Sequence, residues 1–345
     1  MAVDLERSKS FCEPMVEWAR GKGRILIVAH DNPDPDSLAT AYALKHLFLV
    51  KTGQEATIAF GGVIGRGENK LMVKELEINA TRIDDLDLSK FGVVALVDTQ
   101  PGTGNNSFPA DREVHLVIDH HPLREATGKC RWVDVREDYG ACATILFEYL
   151  LSQEAYFGTK LATILFYAIK SETQDLGREW SRADREAYLY LIPLSNNRIL
   201  YKITHPPSPP QYFFSFDRAL KNARTYENVL VSNLYAIEVP DMTAEMADFL
   251  LRMEGIEVVM VMGHFQEVEI LSLRTSNPEI NAGHVIQKVV NGLGTAGGHG
   301  MIAGGQVRLS DDNPAIQREF EATMARRLLE NLGMKPGRGK KLIPS

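Results

Sequence analysis

A histidine and three aspartates crowd into the seven residues His30 to Asp36, directly behind the apolar run ILIVA. Pro33 and Pro35 fix φ on either side of Asp34, so the spacing predicts a stiff extended turn that presents Asp34 and Asp36 at a set geometry. Carboxylates held that close repel one another, and a bound cation is what keeps them ionised. Asp98 ends a second apolar run, GVVALVD, and Asp119, His120 and His121 end a third, VHLVIDHH. A lone histidine behind a strand is more often structural than a ligand, but three clusters ending three strands shift that balance. Imidazole mixed with carboxylate suits manganese, magnesium, iron, cobalt or zinc rather than a thiolate-loving metal. An aspartate arriving from a neighbouring strand, such as Asp98, can bridge two ions. Two ions about 3.5–4 Å apart are the usual apparatus for hydrolysing phosphate esters.

These residues need elements to hold them. RILIVAH has the pattern of a buried parallel strand, and DSLATAYALKHLFLV behind it has helical spacing with Asp36 or Ser37 as N-cap. TIAFGG, GVVALVD and VHLVIDHH continue as strands, with ENKLMVKEL as a helix. Alternation of this kind predicts an α/β domain with a mainly parallel sheet and helices on both faces, whose ligands bind outside the carboxyl ends of the strands. GACATILFEYLLS and KLATILFYAIKSE are apolar enough for core helices, and Ser181 opens a further amphipathic one.

THPPSPPQ, residues 204–211, places four prolines in eight residues and marks a stiff connector. The expected organisation is a catalytic domain over 1–200, a linker over 201–225, a smaller α/β domain over 226–332 and a basic tail over 333–345. The tail, with Lys335, Arg338, Lys340 and Lys341, reads as solvated and disordered. A chain of 345 residues exceeds what one core serves, consistent with two domains. The net charge of −7 argues against a protein that coats nucleic acid through a broad basic surface, while leaving room for a small phosphate-gripping pocket. Three cysteines at no ligand-like spacing suit free thiols in a reducing compartment. The charged N-terminus and the lack of a long apolar run lead to the expectation of a cytoplasmic protein without a membrane partner.

HDNPDPD, VDT and DHH, in this order and spacing, resemble the signature of the DHH phosphoesterases. GGHGMIAGG near residue 300 is similar to the glycine-rich signature of their associated C-terminal domain, and the likeness runs from about residue 10 to 330. Within the family the chain looks most like the two-domain RecJ-like proteins of the nano-RNase and pAp-phosphatase type. The resemblance implies two divalent ions, manganese first and magnesium or cobalt as substitutes. His30, Asp34 and Asp98 would hold one, and Asp36, Asp98 and His120 the other. Glu172 stands where the family's fourth motif has an aspartate, with Asp175 as the fallback ligand. Asp119 would orient its neighbours, His121 would contact the scissile phosphate, and water activated by the ions would attack. Arg274, Thr275 and Ser276 of LRTS, with Gly297, Gly298 and His299 of AGGHG, match the family's substrate-gripping elements. Glycines there let a backbone aim N–H groups at a phosphate, and Arg274 suits a bidentate phosphate contact.

The implied activity is hydrolysis of very short oligonucleotides (dinucleotides, nano-RNA) or of nucleoside 3′,5′-bisphosphate (pAp). The alternatives are a pyrophosphatase or polyphosphatase of the same superfamily, or a nucleotide-binding protein catalytically weakened at Glu172. The expected partners are short single-stranded RNA or DNA or a small nucleotide, and a second copy of the chain in a homodimer.

Overall fold

The computed structural model describes residues 3–309 and 313–343. The chain divides between Pro206 and Pro207, inside the proline-rich segment, into two compact units. The first unit runs α1 (Leu5–Ala19), β1 (Arg24–Val28), α2 (Pro35–Thr52), β2 (Ala56–Phe60), α3 (Gly67–Glu75), β3 (Ala80–Arg82), β4 (Phe91–Val97), β5 (Leu116–Asp119) and β6 (Trp132–Val135). Four helices follow: α4 (Cys142–Ser152), α5 (Thr159–Glu172), α6 (Arg182–Leu191) and α7 (Asn197–Thr204). The six strands form one sheet in the order β3-β2-β1-β4-β5-β6, every pairing parallel.

Strand periodicity sorts the apolar side chains between two clusters. Ile25 and Ile27 of β1, with Val93, Ala95 and Val97 of β4, join the large core beneath the helices. Leu26 and Val28, with Val94 and Leu96, form a smaller cluster on the opposite face. That face was expected to carry helices; instead Ile83, Phe108, Leu86, Leu88 and Val114, from short turns and loops, cover it. The long β4–β5 connection wraps the sheet rather than forming a crossover helix.

The predicted extended turn at 33–36 is a helix start. Asp34 is the N-cap of α2, its side chain accepting from the Ser37 amide at 2.9 Å, and Pro35 is the first helical residue. Proline is tolerated there because its missing N–H would find no intrahelical acceptor in any case. Asp36 consequently lies in the first turn of the helix, not in a turn outside it.

The second unit runs α8 (Pro210–Asn222), β7 (Arg224–Tyr226), β8 (Val229–Ala236), α9 (Met242–Leu250), β9 (Val258–Phe265), β10 (Val268–Thr275), α10 (Ala282–Val290), β11 (Gly294–His299), β12 (Ile302–Arg308), α11 (Pro314–Asn331) and β13 (Lys340–Lys341). Its sheet, ordered β11-β12-β10-β9-β8-β7-β13, is antiparallel except for the β8–β9 pair. Within the tail expected to be disordered, residues 340–342 are docked, while 344 and 345 lie outside the described residues. Lys340 and Lys341 pair with Thr225 and Arg224, and Leu342 packs into the cluster of Leu230, Leu234 and Met246. One apolar residue and an unpaired strand edge outweigh the charge of the lysines. Among the described residues no helix is long and apolar enough to cross a membrane.

Candidate metal centre

In a sheet ordered β3-β2-β1-β4-β5-β6, the chain leaves β1 toward one side and β4 lies on the other, which opens a crevice at their carboxyl ends. His30 stands two residues past β1, Asp98 directly follows β4, and Asp119 ends β5 with His120 and His121 behind it. Three strand ends thus deliver the three sequence clusters to one crevice.

Asp98 lies at its centre, 2% exposed. One of its carboxylate oxygens, Oδ2, is 3.7 Å from His30 Nε2, and the other, Oδ1, is 3.5 Å from His120 Nε2. Each histidine is locked from behind: Nδ1 of His30 lies 2.9 Å from the Asp31 carbonyl oxygen and Nδ1 of His120 lies 3.0 Å from that of Tyr139. A ring that donates through Nδ1 turns its Nε2 lone pair forward, the usual way a ligating imidazole is set. Asp34 Oδ2 is 3.5 Å from His30 Nε2, so His30, Asp34 and Asp98 converge. On the other side Asp98, His120 and His121 converge. The Nδ1 of His121 is 2.9 Å from Asp119 Oδ1, nearer than its 3.6 Å to Asp98, so this nitrogen serves Asp119 rather than an ion. Asp119 Oδ1 also accepts from the amides of His120 and His121.

Asp36 is fully buried, and its oxygens accept from the amides of Cys142 at 2.7 Å and Ala143 at 2.8 Å. The carboxylate therefore caps the N-terminus of α4 while its Oδ2 stands 3.9 Å from His120 Nε2. Two oxygens carry about four lone-pair sites, so the cap leaves acceptor capacity for an ion. That α4 role was invisible in the sequence, because a main-chain donor has no residue signature. Gly140 is legible as small but not as necessary: a Cβ there would stand 2.4 Å from the Glu179 carbonyl oxygen. Its absence lets the 179–180 backbone press against Gly140, next to Tyr139, whose carbonyl fixes His120.

Charge explains what the centre is built to hold. Burial, reinforced by Asp36, Asp34, Asp119 and Glu172, holds the Asp98 carboxyl well above the usual carboxylate range. Burial and then Asp34 push Asp36 up to about 6, against the pull of His120 and the α4 amides. Burial, with Asp34 and Asp36, pushes Glu172 up to about 8. Burial works against a charged His30, yet the Asp34 carboxylate lifts it to about 9. Burial likewise opposes ionisation of Asp34, and His30 overcomes it, holding that carboxyl well below its ordinary range. The cluster therefore retains protons where it carries no cation. Asp98 Oδ1 and His120 Nε2 are buried without a hydrogen-bond partner, facing each other. Buried polar atoms left unpaired beside excess carboxylate fit divalent ions.

Glu172, the last residue of α5, belongs to this cluster, its carboxyl sensing Asp34, Asp36, His120 and His30. Asp175 does not: it pairs with Lys170 and accepts from the Tyr188 hydroxyl at 3.0 Å. A run of left-handed residues, Gln174 to Leu176, turns it away.

The residues of the second unit are arranged differently from the expectation of a glycine loop. Gly297 and Gly298 belong to β11 and pair with Gly304 and Ala303 of β12. Glycine is needed for packing: Gly298 has φ 146°, and a Cβ on Gly283 of α10 would stand 2.0 Å from the Gly298 carbonyl oxygen. Arg274, 5% exposed, donates from Nε to Asp248 at 2.7 Å and from Nη1 to the carbonyls of Leu273 and Ala303. Much of its donor fork is thereby used within the protein. Thr275 is buried and accepts from the Asn277 amide, Ser276 is exposed, and the side chain of His299 lies outside the described residues.

Family models match both units: the DHH family N-terminal domain over residues 24–169 and the DHHA1 domain over 227–326. The chain belongs to the DHH family. An uncharacterized protein of Methanocaldococcus jannaschii is 34% identical to this DHH protein over 321 residues, covering 91% of this chain and 65% of that relative. The chain thus spans somewhat less than two thirds of that relative's length. Two solved structures share its fold. An exopolyphosphatase-related protein from Bacteroides fragilis superposes with a TM-score of 0.76 at 13% identity, over 94% of this chain and 98% of that one. RecJ from Thermus thermophilus in complex with Mn2+ superposes at 0.51 and 14% identity, over 94% and 56%. The two matched domains follow one another along the chain, DHH first and DHHA1 second.

Proposed function

We propose that this DHH protein is a metal-dependent phosphoesterase acting on very short oligonucleotides, dinucleotides among them, or on nucleoside 3′,5′-bisphosphates such as pAp. The observation that carries the reading is Asp98, whose two carboxylate oxygens each face the Nε2 of a different histidine. That is the geometry of a bridging ligand between two ion positions. His30 and Asp34 would complete one position, and His120, Asp36 and Glu172 would complete the other. Bound there, divalent ions supply Lewis-acid stabilisation of the phosphoryl oxygens and a lower pKa for the attacking water. Manganese is the first expectation, in keeping with the ion bound by the RecJ neighbour.

The chain's own residues do the rest. Asp119 holds His121 by its Nδ1, and His121, a third exposed, presents its ring to the phosphoryl group and meets the charge that grows there. The amides of Cys142 and Ala143 hold Asp36 in register with His120. Short substrates suit a chain whose net charge of −7 gives no overall attraction for a polynucleotide backbone. Hydrolysis of pyrophosphate or polyphosphate is a second reading, its polyphosphate arm in keeping with the exopolyphosphatase-related neighbour from Bacteroides fragilis and its pyrophosphate arm with a 24% identical probable manganese-dependent inorganic pyrophosphatase of Lactiplantibacillus plantarum.

Product release from a labelled dinucleotide, pAp, a long single strand and pyrophosphate, each with manganese, magnesium or EDTA, tests this. Manganese-dependent turnover of the dinucleotide or pAp ahead of the others is expected. Faster turnover of pyrophosphate favours the second reading, and equal degradation of the long strand overturns the preference for short ones. Tight nucleotide binding with no turnover under any condition would leave a binding protein with a detuned Glu172.

A further inference from the structure

Gln100 follows Asp98 by two residues and is completely buried, in a segment where the metal-centre reading assigns it no task. All its hydrogen-bonding capacity is engaged. Nε2 donates to Asp119 Oδ2 at 2.7 Å and to the Pro122 carbonyl at 3.1 Å, with the His121 carbonyl at 3.4 Å. Oε1 accepts from the Arg124 amide and from the Thr127 hydroxyl, both at 2.8 Å. The amide's orientation follows from these partners, since a main-chain N–H can only donate and a carbonyl can only accept.

The consequence lies one bond further on. Asp119 has two oxygens: Oδ1 takes Nδ1 of His121 and two main-chain amides, and Oδ2 takes Gln100. The amide donor therefore fixes the rotation of the carboxylate about its own axis, and with it the plane of the His121 ring. We infer that Gln100 is a positioning residue for His121, acting through Asp119. It ties the end of β4 to the DHH turn and to residues 124–127, so that the ring's place is set by a closed network rather than by one contact. This rests on the reading of His121 as the residue that meets the phosphoryl group.

Gln100→Glu, assayed at a pH high enough to ionise the new carboxyl, and Gln100→Met at any pH test it, because each then lacks the donor to Asp119, the glutamate keeping its shape and its acceptor toward Arg124 and Thr127. In the manganese-loaded enzyme kcat should fall about 10–100-fold, the usual cost of losing such a partner, with KM changing much less. The loss should not multiply with that of His121→Ala: in the His121→Ala background, Gln100→Glu should change kcat less than about 2-fold, as coupled sites do. A second readout needs neither metal nor activity. In histidine-labelled, metal-free protein the nitrogen spectrum of His121 should show a proton held on Nδ1, and that signature should shift in Gln100→Glu. Gln100→Met, which introduces no second carboxylate beside Asp119, should give the same shift and serves if the glutamate variant does not fold. An unchanged His121 spectrum in the folded variants, or multiplicative kinetic losses, would overturn the inference. Absence of turnover in the unaltered protein would overturn the phosphoesterase reading instead, leaving the spectrum to judge Gln100.

Discussion

Asp98 occupies a strained place: its φ is 56°, in the left-handed region that a residue with a Cβ seldom adopts. The amide of Asp98 donates to the Ile118 carbonyl at 2.9 Å, and this bond to the neighbouring strand end holds the conformation. Strain at a residue so placed accords with a fixed bridging geometry. Asp98→Ala should lower turnover by several orders of magnitude, since both ion positions lose their shared ligand. Retention of more than about a tenth of the activity would remove Asp98 from that role. Protons compete with ions for the same lone pairs. With Asp36 raised to about 6, Glu172 to about 8 and His30 to about 9, successive ligands shed protons only as pH climbs across that window. Manganese affinity should accordingly rise from pH 6 to 9 and then level off, each binding event releasing protons. Calorimetry in buffers of different ionisation enthalpy counts those protons, and affinity independent of pH would contradict the assignment of these residues as ligands.

Between residue and fold stand the elements, and here α4 and the segment before it matter most. Gly140 lies between Tyr139, which fixes His120, and the start of α4, which fixes Asp36. Gly140→Ala puts a methyl group 2.4 Å from a carbonyl oxygen, forcing the segment to shift. Stability should fall by about 1–3 kcal/mol, the ordinary cost of overpacking, and kcat should fall with it. Asn196→Ala is the comparison: it removes the N-cap of α7, whose side chain accepts from Arg198 and Ile199, at a cost of about 1 kcal/mol. Denaturant unfolding should show both variants weakened and activity should separate them. Equal kinetic losses in the two would mean that the 139–141 segment acts on the site only through global stability.

At the scale of the whole molecule, the two units have separate cores. In the first unit one lies under α1 to α7 and a smaller one on the opposite face of the sheet, and in the second they lie on the two faces of its sheet. Every proposed metal ligand belongs to the first unit, so manganese should protect amides there and not in the second. Hydrogen exchange with and without manganese checks this: slower exchange is expected near residues 29–40, 97–100, 118–121 and 139–144. Protection confined to residues 207–343 would relocate the metal.

The strands and the polar clusters that end them were legible because a parallel strand buried on both faces reads as an unbroken apolar run, against which His30, Asp98 and the Asp119–His121 cluster stand out. Glu172 was picked out only by the family resemblance, as the residue standing where the fourth motif has an aspartate, and it proves to be the last residue of α5. What the sequence could not determine depends on partners distant along the chain. Asp36 meets the Cys142 amide across 106 residues, and Arg274 meets Asp248 across 26. The tail's strand needed an edge more than a hundred positions earlier, and Gln100 acquires its task only when β4 and β5 lie side by side. The AGGHG stretch likewise gave no sign of being a strand until β12 paired with it and α10 packed so close that a Cβ on Gly283 would meet the Gly298 carbonyl oxygen. Local chemistry and periodicity are written in neighbouring residues; hydrogen-bond partnership and close packing exist only once the chain has folded back on itself.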